Sequence, residues 1–292
     1  MQQAYFSCIL LWSLLHCYNS CLSPPDRVKR FNAYIREDAR TAVMSAGLIL
    51  SSFPVACAAQ PLKPRECDNP IYKKSIFNIP PRLSIFPGYF EGAWATSYKF
   101  EGAQFTDQFT MKELSSDVNV AGFRKYGVAY MPDVGANFEC ELRYARNSEG
   151  VQEDRAFNLK SILQSATQAT ADEVEFDLKK DPNRCSVKYH DSKGSGKQEL
   201  FTNYRFQETM ADSSFRVVEN IRQSTVRVKI QQRASQTIVD YGLEWNLSMT
   251  NPDTISGTFK IISYLMPQDN LYFTRPEKPV GIFLYNLNMA KK

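Results

Sequence analysis

Histidine is scarce in this chain: there are 2 in 292 residues, and only His190 lies after residue 59. A Ser-His-Asp or Cys-His nucleophilic site, or a multi-histidine metal site, would therefore have to be built on His190 alone. His190 falls on the outward side of an alternating segment, next to Asp191, which favours an exposed structural role. The sequence therefore predicts no catalytic residues of these classes.

Cysteine pairs with metal-ligand spacing are missing from the same part of the chain. Only Cys67, Cys140 and Cys185 follow residue 59, and no two of them are spaced as C-x-x-C. This spacing argues against a zinc site, and we predict no metal. Cys140 and Cys185 both fall on inward-facing positions, where a bridge between strands and two buried free thiols are both open.

The chain also lacks a strong charge of either sign and a long apolar run. Residues 60–292 carry 30 Lys and Arg against 28 Asp and Glu, so we predict no nucleic-acid partner. The two apolar runs, Phe6–Leu15 and Ala42–Leu50, are too short to cross a bilayer comfortably. We therefore expect no transmembrane span in the mature protein.

The two apolar runs have the form of targeting signals. Residues 1–24 are typical of a secretory signal peptide. Residues 25–59 contain a basic stretch, the second run and a small-residue cleavage site at Val55–Ala59, which predict a plastid transit and thylakoid-lumen signal. Two such segments in series resemble the layered leader of an alga with a complex plastid, and the alternative is a signal peptide plus one membrane-anchoring helix.

Residues 60–84 are rich in proline and predict an extended lead-in rather than a domain. This lead-in is either a solvated linker or a strap that lies on a partner or over one end of the domain. The domain itself is predicted to span residues 85–292.

Period-2 alternation dominates this domain. Trp94, Thr96 and Tyr98 share one face of the first strand, and similar patterns recur to the end of the chain. We predict a mainly β fold, an antiparallel up-and-down (calycin-like) barrel of about ten strands. The second and third strands are placed at Phe105–Leu114 and Tyr126–Met131. A short helix is predicted over 157–167 in a long connection, because Leu159, Ile162 and Leu163 have helical spacing.

Two groups of residues are candidates for a functional site. The first comprises inward aromatic side chains that would line a cavity for a pigment or lipid: Trp94, Tyr98, Phe138, Tyr144, Phe176 and Trp245. The second lies in two loops and comprises Glu153, Asp154, Arg155, Asp269 and Tyr272. Residues 153–155 form either a charged turn that stabilises the start of the helix or a loop whose Arg155 binds an anionic group at the barrel mouth.

Several segments carry a resemblance to a known family. They include the opening Phe86–Trp94, the E-D-R-x-F-N segment ending at Asn158, and the Y-L-x-P-x-D-x-L-Y-F segment Tyr264–Phe273. These resemble an uncharacterised family of domains of cyanobacteria and of plant and algal plastids, over about residues 85–290. The resemblance implies a compartment and a domain extent but no reaction. Separately, Gly92-x-Trp94 resembles the lipocalin signature, which implies a barrel that holds one small apolar ligand.

Together these features predict a soluble, non-enzymatic protein of the thylakoid lumen or plastid without a required cofactor. Its expected role is that of an auxiliary, either a peripheral lumenal subunit or an assembly factor of a photosynthetic membrane complex. The alternative is a lipocalin-like carrier of a pigment or lipid, followed by a pigment lyase or isomerase.

Overall fold

The computed structural model contains one antiparallel sheet curled into a half-barrel. It describes residues 66–74, 83–116, 120–122, 128–167, 169–192, 194–210, 213–229 and 234–292. The ten strands are β1 (Gly92–Phe105), β2 (Phe138–Asn147), β3 (Gly150–Glu153), β4 (Thr170–Glu175), β5 (Arg184–Asp191), β6 (Gly194–Thr209), β7 (Ser214–Lys229), β8 (Ser235–Asn251), β9 (Thr254–Tyr264) and β10 (Pro279–Lys291). The prediction of a mainly β antiparallel barrel of about ten strands is confirmed.

Except for β3 and β4, strands that follow one another in sequence are neighbours in the sheet, and β1 pairs with β10. Apolar side chains alternate inward along each strand because successive residues point to opposite faces. Trp94 illustrates the result: it is 1% exposed, and its indole nitrogen donates to the carbonyl of Phe90 at 2.7 Å. It is therefore a core anchor of the first strand.

The edge strands β3 and β4 do not pair with each other, and helix α2 (Arg155–Thr167) lies between them in sequence. The predicted helix is thus confirmed, starting two residues earlier. Asn158 bonds both backbone groups of Arg143, and the Ser161 hydroxyl accepts from the backbone N–H of Glu141. The helix therefore supplies hydrogen-bond partners to the backbone of β2 where that strand extends beyond β3. These bonds protect a sheet edge that would otherwise be open.

The predicted second strand, Phe105–Leu114, is wrong. β1 continues through Gly102 to Phe105 with a register shift, and a short helix α1 (Met111–Ser116) follows. Thr110 and Glu113 form a capping box, because the Glu113 carboxylate accepts from the Thr110 N–H at 2.7 Å and the Thr110 hydroxyl accepts from the Glu113 N–H at 3.2 Å. This local pairing favours a helix over the strand that the alternation predicted.

The predicted third strand, Tyr126–Met131, is also wrong in its described part. Residues 128–131 form a tight turn closed by a two-way backbone pairing of Val128 and Met131, outside the ten strands. On β7, Val226 and Val228 alternate with Arg227 and Lys229, a pattern typical of inward-facing residues, but they are 37% and 48% exposed. The residues of β7 that face inward include Phe215, Val217 and Glu219. They occupy odd-numbered positions, whereas Val226 and Val228 occupy even-numbered ones.

Part of the proline-rich lead-in packs on the outer face of the sheet. Residues 66–74 form two short 3₁₀ turns, and Cys67 and Tyr72 are each 2% exposed. They contact Ile262, Tyr264 and Ile282 in a small second core. We call residues 66–74 the strap; this part of the lead-in is not a solvated linker. The predicted leader, residues 1–24 and 25–59, lies outside the described residues.

Within the described ranges, no helix has the length and apolar character needed to cross a bilayer.

Candidate functional site

The inward aromatic side chains pack together inside the half-barrel. Tyr98 stacks on Phe138 with ring centroids 4.7 Å apart, and Trp245 meets Tyr130 edge to face at 5.5 Å. A cavity of about 20 Å³ remains between Tyr98, Tyr144 and Trp245. That is room for about one water molecule, whereas ligand pockets usually measure several hundred cubic ångströms.

Of the six residues predicted to line a cavity, three do so: Tyr98, Tyr144 and Trp245. Trp94 is buried in the core elsewhere, and Phe138 reaches the cavity only through its stacking on Tyr98. Phe176 lines a separate, more open depression of about 20 Å³. The structure therefore brings half of the predicted set together.

A buried charge cluster forms one wall of this interior. Arg155 of α2 donates from Nη2 to both carboxylate oxygens of Glu219 at 2.8 and 3.0 Å, and Arg205 of β6 donates to the same carboxylate at 2.7 Å. Arg155 also lies 3.4 Å from Glu153 and donates to the Thr202 hydroxyl at 3.2 Å. We call Glu153, Arg155, Arg205 and Glu219 the interior charge cluster. Its two positive and two negative groups balance when both carboxyls are ionised.

The two carboxyl groups of this cluster have different electrostatic surroundings. Burial alone would raise the pKa of Glu219, but Arg155 and Arg205 outweigh it and hold the pKa at about 2. Burial raises the pKa of Glu153, and the positive charge of Arg155 offsets only part of this increase. Tyr130 and Asn158 donate to Glu153 Oε1 at 3.1 and 3.3 Å. The cluster therefore holds a firmly ionised carboxylate beside a more easily protonated one.

Of the loop candidates, Glu153 and Arg155 belong to the interior charge cluster, whereas Asp154 caps helix α2. The Asp154 side chain accepts from the Phe157 N–H at 3.1 Å, which caps the start of α2. Arg155 is 7% exposed and paired within the chain, so it does not present a free cation at the barrel mouth. Glu219 and Arg205 were not among the candidates predicted from the sequence. An acidic residue among inward apolar positions of β7 was the available signal for Glu219.

The other two loop candidates, Asp269 and Tyr272, belong to the connection between β9 and β10, which internal hydrogen bonds hold in place. Asp269 is 5% exposed and accepts from the Met266 N–H at 2.6 Å. Arg275 is 4% exposed and donates to the carbonyl groups of Pro279 and Cys67 at 2.7 and 2.9 Å. Between these two anchors the loop projects Phe273, which is 84% exposed.

Tyr272 lines a cleft on the outer face of the sheet, away from the interior charge cluster. This outer cleft measures about 310 Å³ and lies between the end of the strap, strands β6 to β8 and the connection that contains Tyr272. Its walls include Lys74, Tyr204, Asn220, Arg222, Asp240 and Tyr272. This volume is that of a small-molecule site.

Comparison with known proteins identifies a family. A family model described as a domain of unknown function (DUF6816) matches residues 84–292. No curated protein and no solved structure matches the chain. The matched region contains all ten strands, the interior charge cluster and the sheet side of the outer cleft, but not the strap.

Proposed function

The chain belongs to this family of domains of unknown function, and from that premise we propose that it is a non-enzymatic auxiliary of a photosynthetic membrane complex on the lumenal side of the thylakoid. It would act as a peripheral subunit or assembly factor. The family match supplies the domain's extent and no reaction, so the proposal depends on the leader pattern and on the site's geometry.

The observation that carries the proposal is the filled interior. The cavity among the inward aromatic side chains is about 20 Å³, and the charges beside it are paired with one another. A buried, self-neutralised cluster stabilises one arrangement of α2 against β6 and β7. Such an interior supports a rigid scaffold that works through its surface.

The described surface offers an exposed aromatic side chain to a protein partner. Phe273 is 84% exposed on a connection held by the buried residues Asp269 and Arg275. Interface hot spots are commonly aromatic side chains that are ordered before binding, because little conformational entropy is then lost. We therefore place the contact with the membrane complex at Phe273.

Native gels of solubilised thylakoids test this proposal. The protein is expected to migrate with a photosynthetic complex, and the variant Phe273→Ser is expected to migrate free. Val228→Ser is the matched control, because Val228 is also exposed but lies on β7. Migration of the wild-type protein free of every complex would overturn the proposal.

The lipocalin-like carrier makes a different prediction, namely a pigment or lipid that is extracted with the native protein. A ligand of that size would require the aromatic side chains around Trp245 to move apart, since the cavity has room for about one water molecule. The absorption spectrum and lipid content of the purified native protein distinguish the two. The filled interior favours the auxiliary role.

A further inference from the structure

The outer cleft has a net positive charge at its floor. Asp240 is 3% exposed, and its carboxylate accepts from Lys74 Nζ at 2.7 Å and from Arg222 Nε and Nη2 at 2.8 and 3.0 Å. Both cations line the cleft, and the single carboxylate neutralises only one of them. One positive charge therefore remains for a ligand.

A buried polar side chain in the cleft has unused hydrogen-bonding capacity. Asn220 is 5% exposed and lines the cleft. Only Oδ1 of its amide has a partner among the described residues, the hydroxyl of Tyr264 at 3.4 Å. The amide nitrogen has no acceptor among the described residues, so it remains available to donate to a ligand in the cleft.

Arg222 adds a second unused donor close to this amide. Its Nε and Nη2 are engaged by Asp240, which fixes the plane of the guanidinium and leaves Nη1 for another acceptor. Two donors and a surplus positive charge fit a carboxylate or phosphate oxygen. Asp240, held ionised by these same cations, keeps the guanidinium in place.

The remaining wall of the cleft is aromatic and apolar. Tyr204 lies beside Asn220 on the neighbouring strand, and Pro267 and Tyr272 line the cleft from the connection between β9 and β10. An aromatic wall next to anion-binding donors suits a molecule with a flat apolar body and one acidic group. The cleft volume of about 310 Å³ accommodates a body of one or two rings.

We propose that the outer cleft is a binding site for a small organic anion, whose carboxylate or phosphate is held by Arg222 and Asn220 and whose apolar body packs against Tyr204 and Tyr272. This site is distinct from the proposed contact at Phe273 and does not depend on the auxiliary role. It uses the strap, because Lys74 closes one side of the cleft.

Titration of the full chain with benzoate and with phenyl phosphate tests the site, and benzyl alcohol is the neutral comparison. Nuclear magnetic resonance follows the side-chain amide of Asn220 and the Nε–H of Arg222. We expect both signals to shift with at least one of the two anions and not with benzyl alcohol. The better anion identifies whether a carboxylate or a phosphate ester is preferred.

Variants establish whether the cleft residues cause the binding. Arg222→Gln is expected to raise the dissociation constant about tenfold, because a charge-assisted hydrogen bond is lost. Tyr272→Ala is expected to weaken binding without touching the charges. Arg184→Gln is the matched control, since Arg184 is similarly exposed and paired, but lies on β5.

Three results would overturn the proposal. The first is no shift with either anion, and the second is equal binding of benzyl alcohol. The third is unchanged affinity in both Arg222→Gln and Tyr272→Ala. Thermal melting of each variant confirms that it is folded before its affinity is compared.

Discussion

The guanidinium of Arg155 lies 2.8 Å from the carboxylate of Glu219 inside the half-barrel, although 64 residues separate them in sequence. This pair joins helix α2 to strand β7 across the interior. Because both groups are almost fully buried, removal of one partner leaves a desolvated charge, which costs far more than loss of a surface pair.

Replacement of Arg155 by alanine is therefore expected to lower the free energy of unfolding by about 3 kcal/mol. Arg205 still contacts Glu219, which limits the loss. The control is Arg184→Ala, which removes an exposed pair with Glu199 and is expected to cost about 0.5 kcal/mol or less. Urea unfolding measures both. Equal losses in the two variants would contradict a structural role for the buried pair.

Glu219 predicts a specific loss of stability in acid. Its pKa is about 2 when folded and lies near the ordinary value of 4.5 when unfolded, so the unfolded state takes up the proton first. The stabilisation is complete above about pH 4.5 and is lost as the pH falls towards 2; its full size is about 3 kcal/mol. In Glu219→Gln, unfolding free energy should fall less steeply over this window. An identical slope in wild type and variant would refute this assignment.

The pKa of Glu153 is shifted in the opposite direction from that of Glu219, so its contribution to stability depends on pH in the opposite sense. Its pKa is raised in the folded state, so its contribution is present below the unfolded value and is lost as the pH rises through the folded value. Glu153→Gln should therefore gain stability relative to wild type as the pH rises from about 4.5. Urea unfolding at a series of pH values measures the difference, and a constant difference between the two proteins would contradict it.

Local patterns were sufficient to predict most of the strands but not the interior charge cluster. The alternation of Trp94, Thr96 and Tyr98 depends on neighbours in sequence, and so does the helical spacing around Leu159. The contact of Arg155 with Glu219 depends on the register of β6 and β7 and on the position of α2, which no local pattern contains. The short helix α1 was predictable in principle, because Thr110 and Glu113 have capping-box spacing.

A further mismatch between sequence pattern and structure lies on β7, where the alternating apolar residues at one end of the strand are on the exposed face. Val226 and Val228 alternate with charged residues as clearly as the true inward set does, yet they lie near the far end of a 16-residue strand and are exposed. Hydrophobic alternation identifies a face without identifying how far the core extends along the strand. Glu219 was overlooked because an acidic residue normally indicates the solvent side.

The three described cysteines are expected to be unreactive in the folded protein. Cys67, Cys140 and Cys185 are buried free thiols, and burial raises the pKa of Cys67 to about 11 and of the other two to about 12. Iodoacetamide at about pH 8 should label none of them before denaturation and all three afterwards, since the thiolate is the reacting form. Phe273→Cys is the positive control. Resistance to labelling after denaturation without reductant would instead indicate a disulfide.

The strap contributes to stability through Tyr72. Its ring is buried against Ile262 and Ile282, and its hydroxyl donates to the carboxylate of Glu244 at 2.5 Å. Tyr72→Ala should cost about 3–5 kcal/mol if the strap stays on the sheet, because it leaves a cavity and removes a partner from buried Glu244. Tyr72→Phe should cost about 1–3 kcal/mol, because it removes the hydroxyl alone. Urea unfolding measures both losses.

Detachment of the strap is the competing outcome for Tyr72→Ala, and proteolysis identifies it. Lys74 is nearly buried beside Asp240 in the docked strap, so trypsin should cut there slowly in wild type. If the strap detaches in Tyr72→Ala, cleavage at Lys74 becomes fast while the half-barrel remains intact. The loss in free energy of unfolding then stays below the value of about 3–5 kcal/mol expected for a cavity. Fast cleavage at Lys74 in the wild-type protein would show that the strap contributes little, and it would also remove one wall of the outer cleft.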